Sequence, residues 1–201
     1  MKQATGNNRS ASENDVSIQL KLGGHSFSAD TLTRVSADGN ATLVVETHKA
    51  TLVPEQAFDP ALAEHYLAAV GLPCADNETA VYSPAQDGTR VVMAVARKAY
   101  DAITERFGSR VRFTSPLFCG THDEGRNISI RIIGGTAYIR VFDGGLQACE
   151  AVSLSSDDDV LYYALRIGEA AGIGTDAAVY ISGCKSAARL LKRYFRKVIC
   201  E

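Results

Sequence analysis

The sequence predicts an α/β chain built from two tandem βββαβα units. Three observations carry that prediction. VSIQLKLGGHSFSA (16–29) and ISIRIIGGTAYIRV (128–141) repeat one pattern: an alternating strand, Gly-Gly, then a returning strand. Each copy is followed by a similar order of strands and helices. Hydrophobic residues make up 46% and charged residues 22% of 201, an ordinary globular balance for one large domain or two small ones.

The lead 1–14 is polar, without the apolar core of a signal peptide, and reads as a disordered tail. Val16–Leu22 alternates with period two, the mark of a strand with one buried face. Gly23-Gly24 supplies a hairpin turn, His25–Ala29 returns, and Asp38-Gly39-Asn40 turns the chain into a third strand at Ala41–Thr47. Asp59-Pro60 starts a helix at Ala61–Val70 as N-cap and first helical residue. Strands at Thr79–Tyr82 and Arg90–Ala96 flank the turn Gln86-Asp87-Gly88. A helix at Arg97–Gly108 has Ala99, Ile103 and Phe107 on one face, and a strand follows at Val111–Thr114.

The polar stretch Cys119–Asn127 reads as the junction, giving a first unit over 15–120 and a second over 121–201. Strands at Ile128–Ile133, Thr136–Phe142 and Leu146–Leu154 are joined by Gly134-Gly135 and Asp143-Gly144-Gly145. Ser156, with Asp159 three residues on, has capping-box spacing for a helix at Asp157–Ala171. A strand at Ala177–Ser182 and a final helix at Lys185–Val198 complete the unit. Three antiparallel strands with αβα crossovers imply a mixed sheet with helices on its faces.

Net charge of −2 and a pI near 6.1 give no global attraction to nucleic acid or acidic membranes. No apolar run reaches the roughly 20 residues of a spanning helix. Five dispersed cysteines without a CxxC pair read as reduced thiols of a cytoplasmic protein, and the four histidines are equally scattered, so no zinc site is expected.

Tandem βββαβα units opening on glycine hairpins resemble the actin-like ATPase architecture, each half being ribonuclease H-like. VSLSSDDDVLYYALRIGEAAGIGTDAAVYISG (152–183) is similar to a family typical of Bacteroides-type bacteria, domain of unknown function 3822. The matching residues are Asp159, Leu161, Tyr162, Tyr163, Tyr180, Ser182 and Gly183, and ATLVPEQAFD (50–59) resembles the segment after that family's third strand.

Working members of the actin-like class hold a nucleotide between their halves, with an aspartate before each glycine loop for Mg²⁺ and the attacking water. The resemblance puts the phosphate-side positions at Gly23, Gly24, Gly134, Gly135 and Thr136, and the adenosine-side position at Gly183. Lys21 stands where the first acid belongs, and Ile132, or Arg131, where the second belongs. Cys184 and Lys185 follow Gly183 where further glycines are expected. The glycines stay and the carboxylates are gone. This implies a non-catalytic interaction or scaffold protein, a pseudo-ATPase with no catalytic residue, metal or cofactor and with a protein partner; members of the wider class serve as adaptors. The alternative is a nucleotide-binding ATPase or kinase-like protein. There Lys21, Thr136 and Lys185 contact phosphate, and Asp143 or Asp30 serves a displaced metal.

Other features have blander readings. Asp157-Asp158-Asp159 complements a helix dipole better than it chelates, because consecutive helical residues splay. Tyr162-Tyr163 reads as core and interface packing on a helix apolar nearly all round. Cys119 near His122 and Asp123 lacks an orienting group for nucleophilic catalysis. Lys185, Arg189, Lys192 and Arg196 form a basic stripe on the last helix, a candidate partner-binding face or simply a solvated one; nucleic acid is a less favoured ligand.

Overall fold

A computed structural model describes residues 16–21, 41–120, 122 and 124–201. The tail, the Gly23-Gly24 turn, the returning strand at His25–Ala29 and Asp30 lie outside the described residues, as do Thr121 and Asp123.

The second half follows its pattern closely. β7 (Arg126–Ile133), β8 (Thr136–Asp143) and β9 (Leu146–Ser153) form an antiparallel meander. The helix Asp157–Ala170 and the strand β10 (Ala178–Ser182) follow, and β10 lies parallel to β7 on its other side. One face of the sheet carries Ile128, Ile130, Ala137, Ile139, Val141, Val179 and Ile181, which pack on Val160, Ala164 and Ile167 of that helix. β8 is buried at every position except its last, as a central strand must be. The capping box is present: Asp159 accepts the backbone N–H groups of Ser155 and Ser156, which hold its carboxyl below the ordinary range. Tyr162 is exposed and Tyr163 half-buried against it, so this helix buries one side only, contrary to the all-round burial its composition suggested.

The expected final helix is a correction. Helix stops at Leu191, leaving only Lys185–Leu191 helical; a turn buries Phe195, and Lys197–Cys200 forms a strand parallel to β10. The complete sheet order is β11-β10-β7-β8-β9, where β11 is that last strand. The reason is the unpaired flank of β10, which Val198-Ile199 satisfies better as β-branched strand residues than as a fourth helical turn. Lys192 and Arg196 therefore leave the helix, and the four-residue basic stripe does not exist as one helical face.

In the first half, β1 (Val16–Lys21), β2 (Ala41–Glu46) and β6 (Val111–Thr114) form a three-stranded sheet, all parallel. The strand at 41–46 was expected as the third of an antiparallel meander. It runs parallel to β1 instead, and the intervening 22–40 is long enough for the crossover that parallel pairing requires.

The chain segment between β2 and β6 forms a second sheet of β3 (Ala50–Pro54), β5 (Thr89–Ala96) and β4 (Glu78–Tyr82), antiparallel in the order β3-β5-β4. β3 was not expected as a strand; it ends in Pro54, which suits an edge. Alternation along β5 explains its central place. Val91, Met93 and Val95 face a cluster with Leu43, Val45, Ile103, Phe107 and Phe113, whereas Val92 and Ala94 face Val53, Ala63 and Leu67. The latter pair belong to α1 (Ala63–Ala69), preceded by a 3-10 turn whose Asp59 carboxylate accepts the N–H of Ala61. Ile103 and Phe107 belong to α2 (Arg97–Phe107). The helices of the second half are then α3 (Asp157–Ala170) and α4 (Lys185–Leu191).

Candidate functional site

The glycine turn between β7 and β8 holds Gly134 at φ 56° and Gly135 at φ 80°. Two consecutive left-handed residues make the tight hairpin that glycine tolerates best. The N–H of Leu154 donates to the carbonyl of Gly135 at 2.8 Å, tying the exit of β9 to the turn. Thr136, the first residue of β8, is buried. Register places Ser182 beside Arg131, so Gly183 stands level with Ile132. Gly183 has φ 91°, and a Cβ there would lie 2.0 Å from the Ile132 carbonyl oxygen. The structure thus brings Gly134, Gly135, Thr136 and Gly183 together at the C-terminal edge of β7 and β10. Gly23 and Gly24 lie outside the described residues.

At this edge the positions before the glycine turn carry no carboxylate. Ile132 packs against the second half's core, and Arg131 pairs in register with Tyr138 and Ser182. Past Gly183 the thiol of Cys184 donates to Asp157 Oδ1 at 3.4 Å and touches Ser186 Oγ at 3.2 Å. Asp157 therefore sits at the start of α3 beside this turn, a placement the sequence did not disclose. In the first half, Lys21 stands level with Glu46 of β2, and Glu46 is buried at 7% exposure. Burial first, and then the Glu46 carboxylate, push the Tyr138 phenol well above its ordinary value. Among the described residues, no three His, Cys, Asp or Glu side chains group as metal ligands.

Asp143, the displaced acid of the nucleotide-binding alternative, is a correction. It pairs with Arg126 at 3.7 Å at the far end of β8 from Thr136. Seven strand steps separate them, about 23 Å. A metal at Asp143 therefore lies too far from a phosphate at Thr136 to serve it. Lys185 is exposed at the first position of α4, and Arg189 is exposed on the same short helix.

The junction lies over the polar face of the β7-β8-β10 sheet. Arg140, 5% exposed, sets its guanidinium 4.7 Å from the Phe142 ring centre. Gly120 lets it approach closely: a Cβ there would fall 1.6 Å from Arg140 Nη1, so a side chain would displace the guanidinium. Burial raises the Cys119 thiol's pKa although Arg131 and Arg140 oppose it, so this sulfur is a poor nucleophile. The ring of His122 stacks on Tyr180 at 3.6 Å and bonds the Glu201 carboxylate. Nothing in the sequence marked Glu46, Tyr138 or Arg140 as buried polar residues.

The family described as "Protein of unknown function (DUF3822)" matches residues 25–198. The chain belongs to this family. No curated protein matches the DUF3822 chain in sequence. Among solved structures, it is similar to a protein from Bacteroides thetaiotaomicron VPI-5482 described as having an actin-like ATPase fold and unknown function. That likeness has a TM-score of 0.71 at 13% identity, covering 86% of this chain and 74% of that one. The DUF3822 chain therefore has the actin-like ATPase fold. Weaker likenesses are to the cytoplasmic domain of EpsL, an inner-membrane component of the type II secretion system of Vibrio cholerae, and to a PilM-PilN type IV pilus biogenesis complex. The first has a TM-score of 0.39 at 13% identity, covering 69% of this chain and 71% of that one. The second has 0.42 at 14% identity, covering 85% and 71%.

Proposed function

We propose that this protein is a non-catalytic member of the actin-like fold, an interaction or scaffold module whose ligand is another protein. The observation that carries the reading is the glycine-turn edge. Its backbone is intact, but Arg131 and Ile132 stand where an acid is needed. Magnesium needs hard oxygen ligands and the attacking water needs an orienting group, and neither Arg131 nor Ile132 can serve as either. Among the described residues no helix is long and apolar enough to cross a membrane. The five free cysteines support a reducing, cytoplasmic setting.

The test is titration with ATP and Mg²⁺ by calorimetry, with melting followed in parallel. No heat and no rise in melting temperature at millimolar nucleotide are expected. Magnesium-dependent turnover that is lost on Glu46→Gln or Gly135→Val would overturn the reading.

A further inference from the structure

β4 and β6 are edge strands, each paired on one side only among the described residues. Between them, over α2, lies a groove of about 580 Å³. Its floor is apolar, with Val81, Tyr100 and Phe113, and Tyr82 stands 39% exposed at its rim. Edge strands are ordinarily blunted by lysine, proline or a covering element, since their free backbone groups recruit other chains. β6 carries neither lysine nor proline.

The groove's charge is one-sided. Arg90 and Arg112 line it and no carboxylate does. Arg90 is already committed to Glu55 at 2.7 Å and to the Ser83 carbonyl at 3.0 Å. Arg112 is exposed and has no ion pair among the described residues.

We propose that this groove takes an extended segment of a protein partner that adds as a strand to the outer edge of β6. The segment carries an acidic side chain opposite Arg112 and aliphatic side chains on either side of it. The pattern follows from strand geometry. A residue directly opposite Arg112 shares its face at about 5 Å, which suits a carboxylate. Its two neighbours project to the other face, with Val111 and Phe113, and cover the apolar floor. Main-chain pairing supplies affinity and the alternating side chains supply selectivity. The proposal rests on the interaction-module reading above and gives it a surface and a partner chemistry.

The probes are two short, fluorescently labelled, end-capped peptides, one alternating Val and Asp and one alternating Val and Lys. They are titrated against the full chain by anisotropy, and amide hydrogen exchange is recorded in the bound state. The acidic peptide is expected to bind at least tenfold more tightly and to slow exchange across Val111–Thr114. Arg112→Glu is expected to invert the order of the two peptides, and Arg112→Ala to level them. Both variants are at an exposed position, and an unchanged melting temperature checks that they fold. Equal affinity of the two peptides, absence of binding, or protection elsewhere would overturn the groove. Protection elsewhere leaves the interaction module standing, whereas magnesium-dependent ATP turnover removes the module whatever the peptides do.

Discussion

Gly183 shows how closely two strand ends approach at the candidate site. Its φ of 91° disfavours any side chain, and the Ile132 carbonyl oxygen occupies the place of a Cβ. Gly134 has φ 56° with open space around it. Gly134→Ala is therefore expected to cost only the backbone strain of a left-handed residue, about 1–2 kcal/mol. Gly183→Ala adds a backbone clash and is expected to cost about 3 kcal/mol or more. Urea unfolding of the two variants makes the comparison, and equal losses would contradict the close approach. Thiol chemistry gives a second residue-scale outcome. Burial pushes the Cys149 thiol up to about 12, with Glu150 adding to it and Arg140 opposing, whereas Cys200 is exposed. Alkylation of the native protein at neutral pH should label Cys200 readily and leave Cys149 unmodified until urea unfolds it. The glycine at 183 was visible in the sequence as a surviving motif position. Its structural duty was not, because the partner carbonyl belongs to a strand fifty residues away.

Among the elements, the second half was legible almost throughout, because alternation, glycine turns and a capping box each act over a few residues. Direction and pairing were not. Nothing local distinguishes a parallel from an antiparallel β2, and the basic periodicity after Lys185 runs smoothly into residues that pair as β11. Truncation after Arg196 tests that last assignment. It removes the pairing of Lys197–Cys200 with β10 and the bond from the Glu201 N–H to the Ile181 carbonyl. Melting temperature is expected to fall by about 6 °C or more; an unchanged value would mean that the segment is dispensable to the sheet. In the inserted sheet, Glu78 at the head of β4 accepts from Lys49 Nζ at 2.7 Å and from the Ala75 N–H at 2.8 Å. Burial alone would raise its carboxyl, but the Ala75 amide and Lys49 together hold it below the ordinary value. A carboxyl lowered on folding contributes stability above its unfolded pKa and loses it as pH falls through the folded one. Glu78→Gln should thus cost about 1 kcal/mol at pH 7, with the gap to wild type closing steadily below about pH 5. A gap that persists in acid would contradict the ionic role.

Across the whole molecule, the largest structural consequence is a core shared between the halves. The cluster with Leu43 and Val45 of β2 and Phe107 of α2 also contains Leu117, from the turn just before the junction, and Tyr138 from β8. Cys149 and Ala151 of β9 pack against it. Alternation in each half marked the residues of its own sheet as buried, but no sequence pattern linked Tyr138 to β2, since that contact depends on how the halves close. Apolar packing of Tyr138, Cys149 and Ala151 on the first half's core couples the two halves. The coupling predicts one cooperative unfolding transition for the described body. Leu117 is 1% exposed, and Leu117→Ala leaves a cavity worth about 2–5 kcal/mol. If the halves unfold together, that loss moves the whole transition. Near-ultraviolet dichroism and amide exchange in β7–β10 should then shift in step with exchange in β5 and α2. Two separable transitions, with only the first-half probes moved by Leu117→Ala, would mean that the halves are energetically independent. The shared cluster would then contribute nothing to coupling between them.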